Sequence, residues 1–255
     1  MILDLAISSG RGPLPVNEDM VLAGDELLRD QFVSRRFELD AGGKFMVAVA
    51  DGLGGGGAGD LASATALGRL RDVVQRMPAD LDPDEARMVI SDWAAETHAA
   101  LRALALEAPG REGMGTTVVG LLFCNGHVYR FHAGDSRLYR YRQASLERLT
   151  ADHSLRNETG DARVASNLLT NCLGGADTSW LEFAELAEGV AQHDRYLLCS
   201  DGLHDCVSDA VIGAVLPAER EVAASTLARA PLTAGGHDNC SILLLDVSGL
   251  AAQEP

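Results

Sequence analysis

The sequence predicts an α+β protein, in which helices pack on antiparallel strands. Two consecutive helical patterns occupy residues 61 to 107, with no strand pattern between them. Residues 115 to 142 are dense in Val, Phe and Tyr and contain Asn125-Gly126, a dipeptide that suits a two-residue β-hairpin turn. Adjacent helices and a hairpin both argue against the strand-helix alternation of a parallel sheet.

Strands are predicted where short apolar runs with β-forming residues are bounded by glycine or polar residues. Outside the central hairpin, such runs lie at 2–8, 45–50, 195–199 and 241–247. A polar stretch rich in Asn and Asp, from 150 to 180, precedes the last two. No repeat, charge block or low-complexity linker interrupts the chain, so a single domain is expected.

The helices are predicted from their apolar spacing and their caps. Residues 61–77 carry apolar side chains at helical spacing. The next helix starts at Asp82, followed by Pro83 at the first helical position and Glu85 three residues after the cap, and should run to about Glu107. Two further helices are expected near the C-terminus, one capped by Ser208 and one after Pro217.

The charge balance restricts the possible partners. The 255 residues include 21 Lys plus Arg and 37 Asp plus Glu, a formal net charge of −16. Such a surface would repel nucleic acid and anionic membranes. The sequence also lacks the run of about 18 apolar residues that would predict membrane insertion. The only lysine, Lys44, lies in GGKF, which matches no lysine motif of kinases, P-loop NTPases or Schiff-base enzymes. These classes are largely excluded.

The five cysteines are odd in number, widely spaced and mostly set in apolar runs, without a CxxC pair. They are expected to be buried free thiols in a reducing compartment. The N-terminal sequence has neither the charged region nor the long apolar stretch of a targeting signal. A cytoplasmic protein is therefore expected.

Acidic residues stand beside glycine or asparagine where strands or strand-like runs stop. Four segments have this form: Asn17-Glu18-Asp19-Met20, Val49-Ala50-Asp51-Gly52, Ser200-Asp201-Gly202 and His237-Asp238-Asn239. Carboxylates that meet at one edge of a sheet repel one another unless a divalent cation lies between them. Oxygen ligands without a His or Cys pattern favour Mg²⁺ or Mn²⁺ over zinc. Each segment alone is also an ordinary turn sequence, so the metal prediction depends on all four.

Seven segments in order resemble the metal-dependent Ser/Thr protein phosphatases of the PP2C type, in their short bacterial form. They are VNEDM at 16–20, VADGLGG at 49–55, GTTVVG at 115–120, HAGDSRLYRY at 132–141, LTADHSL at 149–155, LLCSDGLHDCV at 197–207 and GGHDNCSILLL at 235–245. The match extends from Asp4 to Val247. It implies one phosphatase domain over residues 1–255, built as a four-layer α-β-β-α sandwich of two antiparallel sheets flanked by helices.

The resemblance also implies two tightly bound ions, Mn²⁺ or Mg²⁺, in the cleft between the sheets. By position, Asp51 would bridge both ions. The carbonyl of Gly52 would hold the second ion, and Asp201 and Asp238 would hold the first. Asp51, Asp238 and Asp19 are the expected catalytic residues.

Four other positions carry supporting roles by the same resemblance. Glu18 and Asp19 would reach the second ion directly or through its waters. Asp135, together with the Asp201 position, would bind a third and weaker ion. Asn239 would support the neighbouring Asp238 by hydrogen bonding. The residues alone leave a second interpretation of Asp135, as a turn acid paired with Arg137.

The implied reaction is hydrolysis of phosphoserine and phosphothreonine by direct attack of a water that bridges the two ions, with no phosphoenzyme. Expected partners are phosphorylated proteins, among them a cognate Ser/Thr kinase and its substrates. Bound ions would reverse the local charge, so an anionic substrate is compatible with the net charge of −16.

Two other functions were weighed. GLGGGG at 52–57 fits the G-x-G-x-x-G pattern of dinucleotide-binding sites, with Asp72 following it. However, Asp72 falls inside an amphipathic helix, and a second helix follows instead of a parallel strand. The other alternative is a catalytically silent, phosphatase-like regulatory module, and the presence of every metal-position acid argues against it.

The chain departs from the family pattern where an arginine normally contacts the phosphate. That position, four residues before Glu18, is Leu14, and Arg11 is the only nearby arginine. Many eukaryotic relatives have a histidine directly after the Asp-Gly of the second motif, where this chain has Leu53. The donor of a proton to the leaving oxygen is therefore open between His153, His237 and a metal-bound water.

Two smaller expectations concern the remaining histidines and the flap. His98 and His127 are expected to have structural roles, since no H-x-x-x-H pair suggests zinc. The flap segment between the DHS motif and residues 167–174 is short here. Because the flap helps to choose substrates in the family, family-typical targets need not transfer to this chain.

Overall fold

Two antiparallel sheets form the centre of the structure. The computed structural model describes residues 1–54 and 57–250. Sheet I has the strand order β10-β9-β12-β13-β1-β4, and sheet II has the order β11-β8-β7-β5-β2-β3, with β6 paired to β5. The strands are β1 (Ile2–Gly10), β2 (Asp19–Ala23), β3 (Glu26–Leu28), β4 (Phe32–Glu38), β5 (Lys44–Leu53), β6 (Gly115–Thr116), β7 (Val118–Cys124), β8 (His127–Ala133), β9 (Arg137–Arg142), β10 (Ser145–Arg148), β11 (Glu182–Glu185), β12 (Arg195–Cys199) and β13 (Cys240–Ser248).

Helices cover the outer faces of both sheets. Those of the described residues are α1 (Ala58–Arg76), α2 (Pro83–Glu107), α3 (Leu155–Thr159), α4 (Asp201–His204), α5 (Asp209–Val215) and α6 (Arg220–Thr233). Apolar side chains of α1 and α2 pack on sheet II, and those of α4, α5 and α6 pack on sheet I. The order of layers is α-β-β-α, which confirms the predicted fold class. None of the described helices is both long and apolar enough to cross a membrane.

The predicted local signals correspond to observed elements. Asp82 accepts a hydrogen bond from the backbone of Glu85, and the Glu85 side chain accepts one from the backbone of Asp82, so α2 starts with a capping box. Asn125 and Gly126 both have positive φ, 51° and 79°, and join β7 to β8 as a hairpin. The helix after residue 57 begins at Ala58, three residues earlier than predicted from its apolar spacing.

The apolar layer between the sheets explains which strands the sequence revealed. Strands β5 and β13 lie inside their sheets and are covered on both faces, so they appear in the sequence as continuous apolar runs. Strand β4 lies at the edge of sheet I, with side chains that alternate between exposed and half-buried. It therefore lacks an apolar run and was not predicted.

The pairing of β1 with β13 brings the two ends of the chain together. Their register runs from Ile2 opposite Ser248 to Gly10 opposite Cys240. The loop after Gly10 and the loop before Cys240 consequently lie at the same end of the sandwich. In sheet II, β2 and β5 pair so that Asp19 lies opposite Asp51.

Candidate active site

Acidic side chains from separate parts of the chain meet at this end, between the sheets. Asp51, near the end of β5, lies opposite Asp19, the first residue of β2. Asp201 is the first residue of α4, and its carboxyl lies close enough to that of Asp51 for a hydrogen bond between them. Asp238 lies in the loop before β13 and is near enough to both sheets' acids to repel them. Asp51 and Asp201 lie within two residues of the ends of β5 and β12, as expected, whereas Asp19 begins β2 and Asp238 precedes β13.

Glu18 and Gly52 lie beside this acid group. A Cβ atom on Gly59 of α1 would lie 2.7 Å from the Gly52 carbonyl oxygen and 2.8 Å from the Glu18 carboxyl carbon. Because Gly59 has no side chain, the Gly52 carbonyl and the Glu18 carboxyl can both lie against α1 at this point. Burial raises the pKa of the Glu18 carboxyl, and repulsion from Asp60 and Asp238 raises it further.

The electrostatics of the group favour a bound cation. Burial raises the pKa of Asp19 to about 7 and that of Asp201 to about 6. Burial, and then repulsion from neighbouring acids, raises the pKa values of Asp51 and Asp135 well above the ordinary range. Asp19 Oδ1 and Asp201 Oδ1 are buried and have no hydrogen-bond partner among residues 1–54 and 57–250. Such carboxyls need protons or a metal ion, and hard oxygen donors of this kind fit Mg²⁺ or Mn²⁺.

Two threonines hold the backbone of Asp51. The backbone N–H of Asp51 donates to Thr117 Oγ1 at 3.0 Å, and its carbonyl accepts bonds from Thr117 N at 2.8 Å and Thr116 Oγ1 at 2.9 Å. Thr117 Oγ1 is also 2.7 Å from Ser136 Oγ. The GTTVVG segment was recognised from the sequence, but these roles of its threonines were not. The signal that could have revealed these roles is the pair of adjacent hydroxyl side chains, Thr116 and Thr117, directly before an apolar run.

Asn239 supports the site differently from the expectation. Its backbone N–H, and not its side chain, donates to Asp238 Oδ1 at 2.7 Å. Its side-chain oxygen accepts the backbone N–H of Glu18 at 2.7 Å, and its Nδ2 donates to the carbonyls of Arg11 and Val16, each at 3.0 Å. Asn239 therefore fixes the first acidic loop to the start of β13.

Asp135 is buried two residues after the end of β8, and after burial itself, repulsion from Asp201 raises the pKa of its carboxyl most. Arg137 does not pair with it. The Arg137 guanidinium instead makes two bonds to Asp152, at 2.9 and 2.6 Å. The alternative interpretation of Asp135 as the partner of Arg137 is therefore wrong.

Arg11 lies in the loop between β1 and β2, with its side chain exposed. Its Nη1 donates to the carbonyl of Pro15 at 3.4 Å. The side chain lines a cavity of about 420 Å³ with Asn17, Arg29 and Asp30, and none of the predicted metal-binding residues lines that cavity. Leu14, at the family's arginine position, is half-buried in the same loop.

The histidines fall into distinct environments. His237 is exposed beside Asp238, whereas His153 is buried, with 7% of its surface exposed. His98 Nδ1 accepts the backbone N–H of Gly174 at 3.0 Å, and His127 Nδ1 lies 2.7 Å from a carboxylate oxygen of Glu185. These last two contacts agree with the predicted structural roles.

The dinucleotide-binding alternative does not fit the structure. Strand β5 has antiparallel neighbours, β2 and β7, where that motif requires a parallel strand. Asp72 lies within α1 and accepts bonds from Arg71. Of the glycine run, residues 55 and 56 lie outside the described residues.

Comparison with known proteins decides the family. The family model for protein phosphatase 2C matches residues 22–229. This chain belongs to the protein phosphatase 2C family. The family predicted from the seven segments is confirmed.

Two relatives of the family illustrate the similarity. The serine/threonine protein phosphatase PstP of Mycobacterium tuberculosis is 33% identical over 267 residues, which cover 97% of this chain but 45% of PstP. The chain thus spans about half the length of that relative. The serine/threonine phosphatase Stp of Listeria innocua is 30% identical over 240 residues, which cover 87% of this chain and 94% of Stp.

A solved structure extends the likeness to the fold. The crystal structure of Mycobacterium tuberculosis PstP superposes with a TM-score of 0.77 and 29% sequence identity, and covers 98% of this chain and 100% of the PstP chain. A further structure contains the PstP catalytic domain with two manganese ions.

Proposed function

We propose that this chain is a metal-dependent protein serine/threonine phosphatase that uses Mn²⁺ or Mg²⁺. The observation that carries the proposal is the group of acids between the sheets, in which Asp19 and Asp201 each have a buried carboxylate oxygen without a hydrogen-bond partner in the described part of the chain. Membership of the protein phosphatase 2C family supports it, as does the presence of two manganese ions in the PstP catalytic domain. We further propose that residues 1–255 form one phosphatase domain.

The proposed ligands follow the positions of the family motifs. Asp51 would be shared between two ions, and Asp201 and Asp238 would hold the first. The carbonyl of Gly52 would hold the second ion, and Glu18 and Asp19 would reach it directly or through its waters. Asp135 with Asp201 would bind a third, weaker ion. Asp19, Asp51 and Asp238 are the proposed catalytic residues.

The chain's own residues prepare this site. Asp19 and Asp51 lie in a poorly hydrated cleft, which raises the pKa values of their carboxyls and makes them attract a divalent cation strongly. Thr116 and Thr117 fix the backbone of Asp51, and Asn239 fixes the loop of Glu18. When bound, two metal ions supply a nucleophilic oxygen at neutral pH and offset charge on the phosphoryl group.

The proposed substrates are phosphoserine and phosphothreonine in proteins. A cavity of about 410 Å³ lies directly beside Asp135 and is lined by Arg137, Arg148 and Arg156. Arg137 and Arg148 pair there with Asp152. Arg156 is therefore the arginine that would offset the negative charge of a phosphorylated segment as it approaches the acids. A cognate Ser/Thr kinase and its substrates are the proposed partners.

We also propose a cytoplasmic location. All five cysteines are free, and four of them are buried. Free thiols of this kind are typical of a reducing compartment.

The test is hydrolysis of a phosphothreonine peptide and of p-nitrophenyl phosphate, with EDTA and with added Mn²⁺. Phosphate release that requires Mn²⁺ and is lost in Asp51→Asn is the expected result. Tight Mn²⁺ binding without release from either substrate would instead support the silent regulatory module. Release that is equal with and without EDTA would exclude the metal-dependent mechanism.

A further inference from the structure

His132, His153 and Glu182 form a second group of potential metal ligands, apart from the proposed metal ligands. One ligand atom from each lies within 4.8 Å of the others. His132 and Glu182 are opposite each other on β8 and β11, and the rings of His132 and His153 stack with centroids 4.5 Å apart. His132 Nδ1 is buried, and none of the described residues makes a hydrogen bond to it. Two imidazoles and a carboxylate commonly bind Zn²⁺, so a metal is the first hypothesis for this group.

The hydrogen bonds of His153 oppose that hypothesis. Its Nδ1 lies 3.2 Å from the backbone nitrogen of Gly134 and 2.9 Å from Nδ2 of Asn171. The Asn171 amide is oriented by the backbone of Trp180, whose carbonyl accepts from Nδ2 at 2.9 Å and whose N–H donates to Oδ1 at 3.1 Å. Both groups that face Nδ1 are therefore donors, and Nδ1 carries no proton.

The proton of the neutral His153 ring is consequently on Nε2. Nε2 lies 3.2 Å from Glu182 Oε1, which accepts it. A metal ion at Nε2 would have to displace this proton from a ring that has no other, which leaves an imidazolate and not the neutral imidazole that metals normally bind. His153 is thus saturated by hydrogen bonds and not prepared for a metal.

These bonds hold Gly134, the residue before Asp135. Gly134 donates its N–H to His153 Nδ1, and its carbonyl accepts the backbone N–H of His153 at 3.0 Å. Gly134 has φ 107°, a conformation that favours glycine, and a Cβ there would lie 2.6 Å from the side chain of Thr117. The backbone that presents Asp135 is therefore fixed on both sides, by His153 and by Thr117.

His153 also stands at the base of the flap, which we define as residues 155–168. Thr170 N–H donates to the His153 carbonyl at 2.9 Å, and Leu155 N–H donates to the Leu168 carbonyl at 2.8 Å, so the two ends of the flap are paired. Towards the C-terminal end of the flap, Ser166 Oγ lies 3.0 Å from Asp205 Oδ2. The imidazole of His153 bonds Gly134 and Asn171, and its backbone carbonyl bonds the base of the flap, so this one buried residue connects the flap to the backbone of Asp135.

We propose that His153, fixed as the Nε2–H tautomer by Asn171 and Gly134, is a positioning residue that couples the flap to Asp135. The role of Asp135 as a ligand of the weaker ion rests on the proposed function. His153 does not touch the substrate or the reacting atoms. It acts through Gly134, in the way that residues behind a metal ligand orient that ligand.

The tautomer is measurable in the wild-type, metal-free protein. Long-range ¹H-¹⁵N NMR of the imidazoles should show His153 with an unprotonated Nδ1 and a protonated Nε2, unchanged by added Zn²⁺. A protonated Nδ1, or Zn²⁺ binding that shifts the His153 signals and is lost in Glu182→Gln, would overturn the proposal. This measurement does not depend on any phosphatase activity, so it stands or fails separately from the proposed function.

Variants then test the coupling. Asn at position 153 places an oxygen acceptor near the former Nδ1, whereas Leu has none, so His153→Asn should behave like wild type and His153→Leu should not. In His153→Leu, we expect the weaker Mn²⁺ site to lose about tenfold in affinity, the lower end for residues behind a metal ligand. Calorimetry of Mn²⁺ binding and the Mn²⁺ dependence of phosphopeptide turnover both report this loss.

His127→Leu is the matched control, because His127 and Glu185 form the other His-Glu pair of β8 and β11, at 2.7 Å, with both side chains exposed. It should change neither measurement. Equal losses in His153→Leu and His153→Asn, or unchanged Mn²⁺ affinity in His153→Leu, would overturn the proposal. If His153→Leu does not fold, the Mn²⁺ affinity of His153→Asn and the NMR tautomer decide. Wild-type affinity with a protonated Nε2 supports the proposal, and a loss of affinity or a protonated Nδ1 overturns it.

Discussion

The hydroxyl of Ser200 donates a 2.7 Å hydrogen bond to Asp19 Oδ2 and so joins sheet I to sheet II at the acidic site. Ser200 Oγ also accepts the backbone N–H of Ser241 at 3.0 Å, which directs the hydroxyl proton towards Asp19. Burial raises the pKa of Asp19, and the bond from Ser200 opposes that rise. Ser200 therefore favours the charged carboxylate that a metal ion requires.

Ser200→Ala should weaken Mn²⁺ binding most strongly near neutral pH. Without the hydroxyl, the pKa of Asp19 rises above about 7, and protons compete better with the ion. A hydrogen bond to a charged group contributes about 1.5–3 kcal/mol, so we expect a loss of about tenfold or more. Calorimetry at neutral and at alkaline pH measures it, with Ser225→Ala on α6 as the control. An affinity equal to that of wild type at neutral pH would contradict this role.

The metal-free protein should lose stability as the pH rises. Asp19 has a folded-state pKa of about 7 and Asp201 one of about 6, both above the ordinary 3.8. Between these limits the folded state binds more protons than the unfolded state, so the free energy of unfolding decreases with increasing pH. The Tm in EDTA should therefore be lower at pH 8 than at pH 5. With saturating Mn²⁺ the trend should reverse, because the ion binds the deprotonated acids. A metal-free Tm that increases over this range would refute the assignment.

Asp51→Asn and Asp238→Asn should each abolish Mn²⁺-dependent phosphate release while the protein still folds. Each amide keeps the size of the carboxylate but loses its charge. The loss should exceed about a hundredfold, as for removal of charge stabilisation at other sites. Circular dichroism checks folding, and release from p-nitrophenyl phosphate checks activity. Half of the wild-type activity in Asp51→Asn at saturating Mn²⁺ would show that Asp51 is not shared between the ions.

Asp135→Ala should reduce phosphopeptide turnover but leave the tight metal pair and the Tm nearly unchanged. Arg137 pairs with Asp152 instead, so the substitution breaks no ion pair of Asp135. It also removes a buried acid whose pKa is raised by burial and by Asp201. Calorimetry, thermal unfolding and turnover at several Mn²⁺ concentrations distinguish the outcomes. A large decrease in Tm with normal turnover would indicate a purely structural acid.

Leu14→Arg should lower KM for p-nitrophenyl phosphate and strengthen inhibition by inorganic phosphate. The gain should stay below the tenfold that about 1.4 kcal/mol provides, because a grafted guanidinium is rarely well oriented. Arg11→Ala should leave KM unchanged, since the Arg11 side chain lines a cavity to which none of the proposed metal ligands contributes. If Arg11→Ala raises KM and Leu14→Arg has no effect, Arg11 is the phosphate ligand.

The strands that the sequence revealed are those with two buried faces. SILLL in β13 and FMVAVA in β5 are continuous apolar runs because helices cover one side of each sheet and the other sheet covers the second. Strand β4 faces solvent on alternate residues, and its Arg35 pairs with Glu26 of β3. No local pattern distinguishes such an edge strand from a polar loop.

For the site, the identity of the acids was predictable but their supports were not. Asp51, Asp201 and Asp238 stand in recognisable segments. The hydrogen bond that the backbone N–H of Glu18 donates to Asn239 Oδ1, however, joins residues 221 positions apart. That contact depends on the register of β1 against β13, which composition and periodicity do not determine. The same reason explains why Ser200 was seen as part of a motif and not as the partner of Asp19.

Because β1 pairs with β13, sheet I is completed only after residues 240–248 have left the ribosome. Until that moment the growing polypeptide carries the acids of β2 and β5 without Asp238, and without the strand that aligns the first loop with them. Pairing over such a sequence separation is slow compared with local folding. We therefore expect metal loading to follow the pairing of β13 with β1, and we expect a chain cut before Asp238 to bind metal weakly.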